Sequence, residues 1–380
     1  MSRIITICLI AITFIIFTHF GFILKESVPI SALHLLGQYE VPNGQLFKNT
    51  TIGGISGIDY IPITDEYLLI SDDRSAFNPV RYYTSKILFT PKGIDTVQFV
   101  NVHYFFQEDG NVYPDSKTNP SLAPDPEAIR YNPATQQLVW INEGERSNNQ
   151  DKIVLQDPAI NISGLDGKYL GVFSTASNMR MLENEQGPRQ NGALEGLAFA
   201  HDYKSLFASM EEPLYQDGPR ADVINTQALV RIYKYDVATK KNIAQYAYEL
   251  DVVAFPSAPA TSFKTNGIPE ILSIEENKLL VMERSFSTGR KACTIKLFIA
   301  DLTHASNIMS VASLKENPPT RLIEKKLLLN MDTLGIYIDN IEGVTFGPRL
   351  ANGHQTLIFV SDDNFSALQK TQFLLFEVIP

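Results

Sequence analysis

Short apolar runs alternate with polar turns along most of the chain, and the same order of runs returns five times. Each copy opens on one marked residue and continues with an apolar strand, a polar turn and a second apolar strand. The second strand is followed by a polar, mostly acidic cluster. Successive copies start 71, 68, 75 and 72 residues apart, at Ser56, Glu127, Glu195, Glu270 and Glu342. A near-constant period over most of the chain predicts a repeat architecture.

Each copy also contains two further runs with the composition of strands. In the third copy the four runs are EGLAFA, KSLFASM, QALVRIYKYDV and NIAQYAYEL, which are rich in aromatic and β-branched residues. No long amphipathic helix is evident beyond the first 25 residues. Four-stranded antiparallel units repeated around a circle are the blades of a β-propeller. The pattern therefore predicts an all-β protein.

The last copy predicts how the ring closes. It provides only three strands before the chain ends at Pro380, whereas the run SALHLLGQYEV (residues 31–41) precedes the first copy without a partner. This run can supply the missing strand and remove an open sheet edge. We therefore expect one propeller domain over residues 31–380 with five blades. Six blades are the alternative, if residues 107–126 or 211–226 contain additional strands.

The N-terminal segment differs from the rest of the chain. Residues 4–24 are apolar without a full charge, close to the ~20 residues that span a bilayer. Arg3 favours a cytoplasmic position for the preceding end. Residues 1–25 are expected to form a signal anchor or a cleaved signal peptide, so the body is exported. It would be periplasmic, attached to the cell envelope or secreted, and this segment would provide its only membrane contact.

Charge and cysteine content narrow the function classes. The formal net charge of −10 disfavours nucleic acid as a partner, since a basic surface is needed for that. It fits cation binding, but it equally fits a soluble acidic surface. The two cysteines, Cys8 and Cys293, cannot form a cysteine-based zinc site. We expect a monomer without an organic cofactor.

Strand direction predicts where the acidic residues lie. Neighbouring strands of a blade are antiparallel, so the start of the first strand and the end of the second strand lie at the same edge of the sheet. The leading and trailing acids of all copies should therefore share one face of the propeller. The leading acids are Glu127, Glu195, Glu270 and Glu342, with Ser56 in that place in the first copy. The trailing acids include Asp72, Asp73, Glu143, Glu211, Glu283, Asp362 and Asp363.

Crowded carboxylates need a compensating charge. Calcium would provide it, because it takes about 6–8 oxygen ligands. Arg74, Arg146 and Arg284, which follow the acidic clusters, are a second source of positive charge. Two structural interpretations stay open. The leading glutamates could accept backbone hydrogen bonds from a neighbouring blade, and the clusters could be solvated turns.

The five copies resemble the phytase-like domain family, also called "esterase-like activity of phytase", from about residue 53 to the C-terminus. The resemblance lies in strings such as GGISGIDYIPITDEYLLISDDRS and DNIEGVTFGPRLANGHQTLIFVSDDNFS. It implies a propeller that hydrolyses phosphoesters. It also implies that the repeated acids Glu127, Glu195, Glu270 and Glu342, with the pairs 72–73 and 362–363, are functional positions. The motifs of the classical calcium-dependent β-propeller phytases are absent.

These observations lead to one main hypothesis and two alternatives. The main hypothesis is an exported, metal-dependent hydrolase of a small phosphorylated substrate. The trailing acids would hold calcium, the leading glutamates would be catalytic, and Arg74, Arg146 and Arg284 would grip phosphate. The first alternative is a non-catalytic, calcium-stabilised binding propeller of the cell envelope. The second is a hydrolase of sugars or lactones with one calcium ion in the central channel.

Overall fold

The computed structural model of the protein describes residues 27–149 and 152–380, and nearly all regular structure within them is β-strand. The strands are, in chain order, β1 (Ala32–Val41), β2 (Leu46–Phe47), β3 (Thr50–Thr51), β4 (Ile55–Ile61), β5 (Glu66–Ser71), β6 (Arg81–Thr90), β7 (Gly93–Tyr104), β8 (Pro126–Asn132), β9 (Gln137–Asn142), β10 (Glu145–Asn149), β11 (Lys152–Gln156), β12 (Ala159–Gly164), β13 (Tyr169–Val172), β14 (Leu194–Phe199), β15 (Ser205–Met210), β16 (Leu229–Asp236), β17 (Lys241–Glu249), β18 (Lys264–Glu275), β19 (Lys278–Ser287), β20 (Thr294–Asp301), β21 (Glu324–Asn330), β22 (Asn340–Gly347), β23 (Thr356–Asp362) and β24 (Thr371–Ile379). Three single-turn 3-10 helices occur at Ser177–Met179, Tyr215–Asp217 and Met331–Leu334.

Five four-stranded antiparallel sheets form the blades of a propeller. Blade 1 contains β4 to β7, blade 2 contains β8, β9, β12 and β13, and blade 3 contains β14 to β17. Blade 4 contains β18 to β21, and blade 5 contains β22, β23, β24 and β1. The innermost strands β4, β8, β14, β18 and β22 contact one another in ring order. The predicted five-blade propeller is therefore confirmed.

The ring closes through the strand that precedes the first copy of the repeat. β1 pairs with β24 in antiparallel register, from Ala32 opposite Ile379 to Val41 opposite Thr371. The first and last strands of the propeller therefore lie in the same sheet, and β1 covers the edge of β24 that would otherwise be unpaired. The predicted closure by the N-terminal run is confirmed.

The segments considered for a sixth blade do not form one. Within the described residues, residues 107–126 contain turns and one isolated bridge between Phe106 and Val112, and residues 211–226 contain a single-turn helix. The repeat is instead interrupted in blade 2, where the hairpin β10–β11 is inserted between the second and third strands. That hairpin is why the third and fourth strands of this copy are hard to recognise in the sequence.

Packing between blades explains why the second strands are apolar on both faces. Leu206–Met210 of β15, for example, is buried at every position, because each blade is covered by a neighbour on either side. Aromatic residues fill the spaces between blades. Phe105, which directly follows the last strand of blade 1, stacks on Trp140 of blade 2 with ring centroids 4.6 Å apart.

Arg130, on the innermost strand of blade 2, lies across the centre of the ring. Its guanidinium donates hydrogen bonds to the carbonyls of Ile58, Ile271 and Val344, which belong to three other blades. It also forms an ion pair with Glu270 at 2.6 Å. Because the arginine is almost fully buried, these contacts join four blades at the axis.

The predicted signal anchor or signal peptide lies outside the described residues. Between residues 27 and 380, leaving out 150 and 151, no helix is long and apolar enough to cross a bilayer.

Candidate metal centre

Irregular strand pairing turns the marked residues of four copies away from the regular ladder. The register between the first and second strands shifts around Ser56, Glu127, Glu195 and Glu342, each of which lies at a β-bulge. A bulge gives one strand an extra residue and re-aims its side chain. Three glutamates from blades 2, 3 and 5 are thereby directed to the same end of the channel.

A cavity of about 240 Å³ opens at this end of the propeller. Eight carboxylates and one arginine are among the residues that line it. The carboxylates belong to Asp72, Asp125, Glu127, Glu143, Glu195, Glu211, Glu342 and Asp362, and the arginine is Arg284. The remaining lining residues are Asn191, Phe263, Thr265, Phe286, Asn340 and Asn364. The predicted meeting of leading and trailing acids on one face therefore holds for most of them.

Two groups of three carboxylates have the spacing of metal ligands. Asp125, Glu127 and Glu143 form one group, and Glu143, Glu195 and Glu211 form the other. Within each group one oxygen per residue lies within 4.8 Å of the others. Glu143 belongs to both groups, so its carboxylate lies between two adjacent candidate sites. Its position is fixed because Oε1 accepts a hydrogen bond from the backbone N–H of Ala193 at 2.8 Å.

Burial and mutual repulsion raise the pKa values of these carboxyl groups. Burial is the largest cause for Asp72, Glu127 and Glu195, whose pKa values lie well above normal, and nearby carboxylates raise them further. The pKa of Asp125 rises to about 7, although Arg74 opposes the shift. At neutral pH the cavity therefore favours a bound proton or a bound cation over bare carboxylates.

Three of these carboxylates lack a hydrogen-bond or ion-pair partner in the part of the chain that the structure describes. Among residues 27–149 and 152–380, no hydrogen bond or ion pair reaches the carboxylates of Asp72, Glu127 or Glu195, although Glu195 is only 7% exposed. An unpaired buried carboxylate is costly, and a hard cation with oxygen ligands would relieve that cost. The donor set consists of oxygens, so it fits calcium, magnesium or manganese.

The trailing acids divide by the alternation of side chains along a strand. In two doublets the first acid, Asp72 or Asp362, lines the cavity. The second acid points the other way and caps backbone N–H groups. Asp73 accepts from Ala76, Phe77 and Asn78 and pairs with Arg81 at 2.7 Å.

Asp363 and Glu283 are also outside the cavity lining. Asp363 accepts from the N–H groups of Gly54 and Phe365. Glu283 accepts from the Tyr248 hydroxyl at 2.8 Å and pairs with Lys325 at 2.7 Å. These two acids and Asp73, expected to bind metal, have structural partners.

Glu270 lies away from the acidic cavity, in contrast to the other three leading glutamates. The bulge of blade 4 lies between Gly267 and Glu270, so Glu270 itself pairs regularly with Met282. Its side chain is completely buried, accepts the N–H of Leu197 in blade 3 at 2.8 Å and pairs with Arg130. This is the inter-blade hydrogen bond that the sequence left open as the structural interpretation. Burial raises its pKa to about 7, although Arg130 opposes the shift.

Ser56 also joins two blades. Its hydroxyl donates to the carbonyls of Pro126 at 3.1 Å and Glu127 at 2.9 Å, both in blade 2. Blade 1 therefore supplies only Asp72 to the cavity.

The three arginines expected to bind phosphate have different positions. Arg284 lines the cavity and forms ion pairs with Glu211, at 2.8 Å, and with Glu342. Arg74 pairs with Glu145 and lies 3.7 Å from Asp125, behind the carboxylates. The structure does not bring Arg146 into the site, because its guanidinium binds backbone carbonyls of residues 184–188 and covers the ring of Tyr215.

Sequence reasoning did not assign roles to several lining residues. Asp125 precedes the leading glutamate Glu127 by two positions and belongs to a metal-ligand group. Asn340 has the same spacing to Glu342 and donates to it at 2.9 Å. Phe263 and Phe286 are neither acidic nor basic, so the charge pattern of the sequence does not indicate them. The position of blade 4 in the ring brings them to the cavity.

The family model of the phytase-like proteins, described as "Esterase-like activity of phytase", matches residues 50–365. The chain belongs to the phytase-like family. The match includes every carboxylate that lines the cavity. The family suggests a phosphoesterase-like hydrolase, and the acidic clusters are compatible with that activity. A search of the curated proteins finds no match.

Solved structures with similar chain traces are distant. An endo-arabinase from Bacteroides thetaiotaomicron is 12% identical, with 87% of this chain and 95% of that chain covered and a TM-score of 0.42. A GH43_12 protein from a capybara gut metagenome is 13% identical, with 90% and 53% covered and a TM-score of 0.44. The Dos1 propeller is 8% identical, with 87% and 69% covered and a TM-score of 0.34. At these scores the similarities carry no argument about function.

Proposed function

We propose that this phytase-like propeller is an exported, calcium-dependent phosphoester hydrolase whose active site is the acidic cavity. The observation that carries the proposal is the pair of carboxylate groups that share Glu143, beside Arg284. Membership of the phytase-like family supports the reaction class. The apolar N-terminal segment of the sequence supports export.

The two carboxylate groups would hold the cations. Asp125, Glu127 and Glu143 would bind one ion, and Glu143, Glu195 and Glu211 would bind the other. Bound divalent cations supply Lewis-acid polarisation of a phosphoryl oxygen and lower the pKa of a coordinated water. Most charged side chains that line the cavity are carboxylates, which repel phosphate. A phosphate group could therefore enter only where bound cations offset the negative charge of these carboxylates.

Other residues of the cavity would position the ligands and move the proton. Arg284 holds Glu211 and Glu342 together through its two ion pairs. Asp72 lines the cavity but lies outside both ligand groups, and among the described residues no hydrogen bond or ion pair occupies its carboxylate, so it is placed to accept a proton from a water in the cavity. We therefore assign Asp72 the role of general base.

The test is hydrolysis of phosphomonoesters and phosphodiesters by the purified protein, after chelation and after addition of calcium, magnesium or manganese. We expect turnover only with added metal. Glu143→Gln removes a ligand from both groups and should lower kcat/KM by about 1000-fold, because the metal contributes several kcal/mol to transition-state stabilisation.

Glu283→Gln is the matched control for this variant. Glu283 is a buried glutamate within β19, the second strand of blade 4, but it is outside the cavity lining. Its variant should keep the activity of the folded protein. Equal loss in both variants, or turnover that survives chelation, would contradict the proposal.

The alternative is a binding propeller that calcium stabilises. The fixed contacts of Arg284 with Glu211 and Glu342 favour a structural role for part of the cluster. Calcium that raises the melting temperature without supporting turnover of any ester would favour this alternative.

A further inference from the structure

Blade 4 lines the acidic cavity differently from its neighbours. Blades 1, 2, 3 and 5 contribute the carboxylates, whereas blade 4 contributes Arg284, Thr265 and two phenylalanines, Phe263 and Phe286. Phe286 lies opposite Thr265 in the pairing of β18 with β19, and Phe263 directly precedes β18. One wall of the cavity is therefore aromatic.

The two rings are unusually accessible for a protein interior. Phe263 is 51% exposed and Phe286 is 37% exposed, and their centroids are 6.1 Å apart with an angle of 36° between the planes. The guanidinium of Arg220 lies 5.5 Å from the centroid of Phe263, and Arg220 is held by Glu212 at 2.7 Å. Exposed aromatic surface favours the binding of a planar group, because covering the rings removes apolar surface from water.

The charge of the cavity limits the ligand further. Its only basic lining side chain among the described residues is Arg284, whose guanidinium is already shared between Glu211 and Glu342. Eight carboxylates line the same space. A polyanion with several phosphates would find few positive groups even with two cations bound, because electrostatic repulsion from the carboxylates grows with ligand charge.

We propose that the cavity takes aryl phosphates, in which a single phosphate is attached to a planar aromatic group. The aromatic group packs on Phe263 and Phe286, while the phosphate lies toward the carboxylate groups of blades 2 and 3. This inference rests on the proposed function and specifies its substrate class.

The test compares Phe263→Ala, Phe286→Ala and the double variant on phenyl phosphate and on ethyl phosphate, with calcium. Comparing the same two esters in each variant cancels their different intrinsic reactivities. The double variant should lose about tenfold in kcat/KM for phenyl phosphate, through KM, because one stacking contact is worth about 1–3 kcal/mol. Its kcat/KM for ethyl phosphate should change less than about twofold.

Phe255→Ala is the matched control. Phe255 is 38% exposed and belongs to the same region of the chain, but it is not a lining residue. This variant should behave like the wild type with both esters. Inositol hexakisphosphate should be a poorer substrate than phenyl phosphate. Equal losses for the two esters, or a preference for the inositol polyphosphate, would overturn the inference.

A binding experiment separates this inference from the proposed function. Calorimetry with phenylphosphonate and methylphosphonate, in the presence of calcium, requires no turnover. If no ester is hydrolysed but phenylphosphonate binds about tenfold more weakly to the double variant, the hydrolase proposal fails and the aromatic subsite stands. If both phosphonates bind equally to wild type and variant, the aromatic subsite is wrong.

Discussion

Blades 3 and 4 contain similar sequences at the start of their inner strands but use them differently. In blade 3, Glu195 lies in the bulge and faces the acidic cavity. In blade 4, Glu270 lies after the bulge, is paired regularly and is buried between blades. The same residue type is a candidate metal ligand in one blade and an inter-blade contact in the other. The position of the acid relative to the bulge decides which role it has.

The residue that follows the acid reflects this difference. Gly196 follows Glu195, and a Cβ there would lie 2.5 Å from the Ser209 Oγ and 2.9 Å from the backbone nitrogen of Ile271. The inner strands of neighbouring blades approach too closely for a side chain at that position. Ile271, which follows Glu270, occupies a regular position and is part of the core. An acid followed by glycine or alanine therefore indicates a cavity position, and Glu270 lacks that signal.

The largest expected difference is in stability. Glu270→Gln keeps an acceptor for the Leu197 N–H but leaves the charge of Arg130 buried without its partner, and we expect about 3 kcal/mol of destabilisation. Glu195→Gln removes a repelled carboxylate and should leave the metal-free protein unchanged or more stable. Urea denaturation in the presence of a chelator measures both. Equal destabilisation by the two substitutions would remove the distinction between the blades.

The pH dependence of stability tests the carboxylate cluster as a whole. Asp125 has a pKa of about 7 in the folded protein, so the folded state binds more protons than the unfolded state between pH ~4 and ~7. Without metal, the free energy of unfolding should therefore be highest near pH 4–5 and fall by about 2–3 kcal/mol as the pH rises to 8. Added calcium should reverse most of that loss, since it replaces the protons. Denaturation midpoints that stay constant with pH in chelator would contradict this.

The smallest effect is expected from the close approach of the inner strands. Gly196→Ala should destabilise the protein by about 1–2 kcal/mol, because the added methyl group forces neighbouring backbone apart. Ala128→Gly at the corresponding place in blade 2 removes a methyl group that the structure already accommodates and should cost about 1 kcal/mol. Thermal denaturation of both variants provides the comparison. A Gly196→Ala variant as stable as wild type would show that the glycine is not required for blade contact.

The repeat predicts most of the fold because each blade needs the same alternation of apolar strands and turns. The unpaired run before the first copy predicts the closing strand, which pairs with β24 as expected. The second blade is harder to read, because the hairpin β10–β11 interrupts the periodic pattern. Local pattern and chain closure are thus sufficient for the architecture, while an insertion is visible only once the ring is assembled.

The site is less predictable, since it depends on where individual side chains point. Asp72 and Asp73 are adjacent in sequence, yet one lines the cavity and the other caps a turn. Arg146 follows an acidic cluster as Arg284 does, but the inserted hairpin carries it to another loop. The direction of a side chain changes from one residue to the next along a strand and changes again at each bulge. The repeat of about 70 residues, which reveals the blades, does not resolve such single-residue differences.

Both ends of the propeller leave it on the side away from the carboxylates. The hydroxyl of Ser31, just before β1, donates to the carbonyls of Ile379 and Pro380, so the two ends of the ring meet at one point of that side. A bead, a fusion partner or a bilayer joined through either end would therefore attach to the face of the propeller opposite the acidic cavity. The acidic cavity would then open toward the surrounding solution, within reach of dissolved substrates.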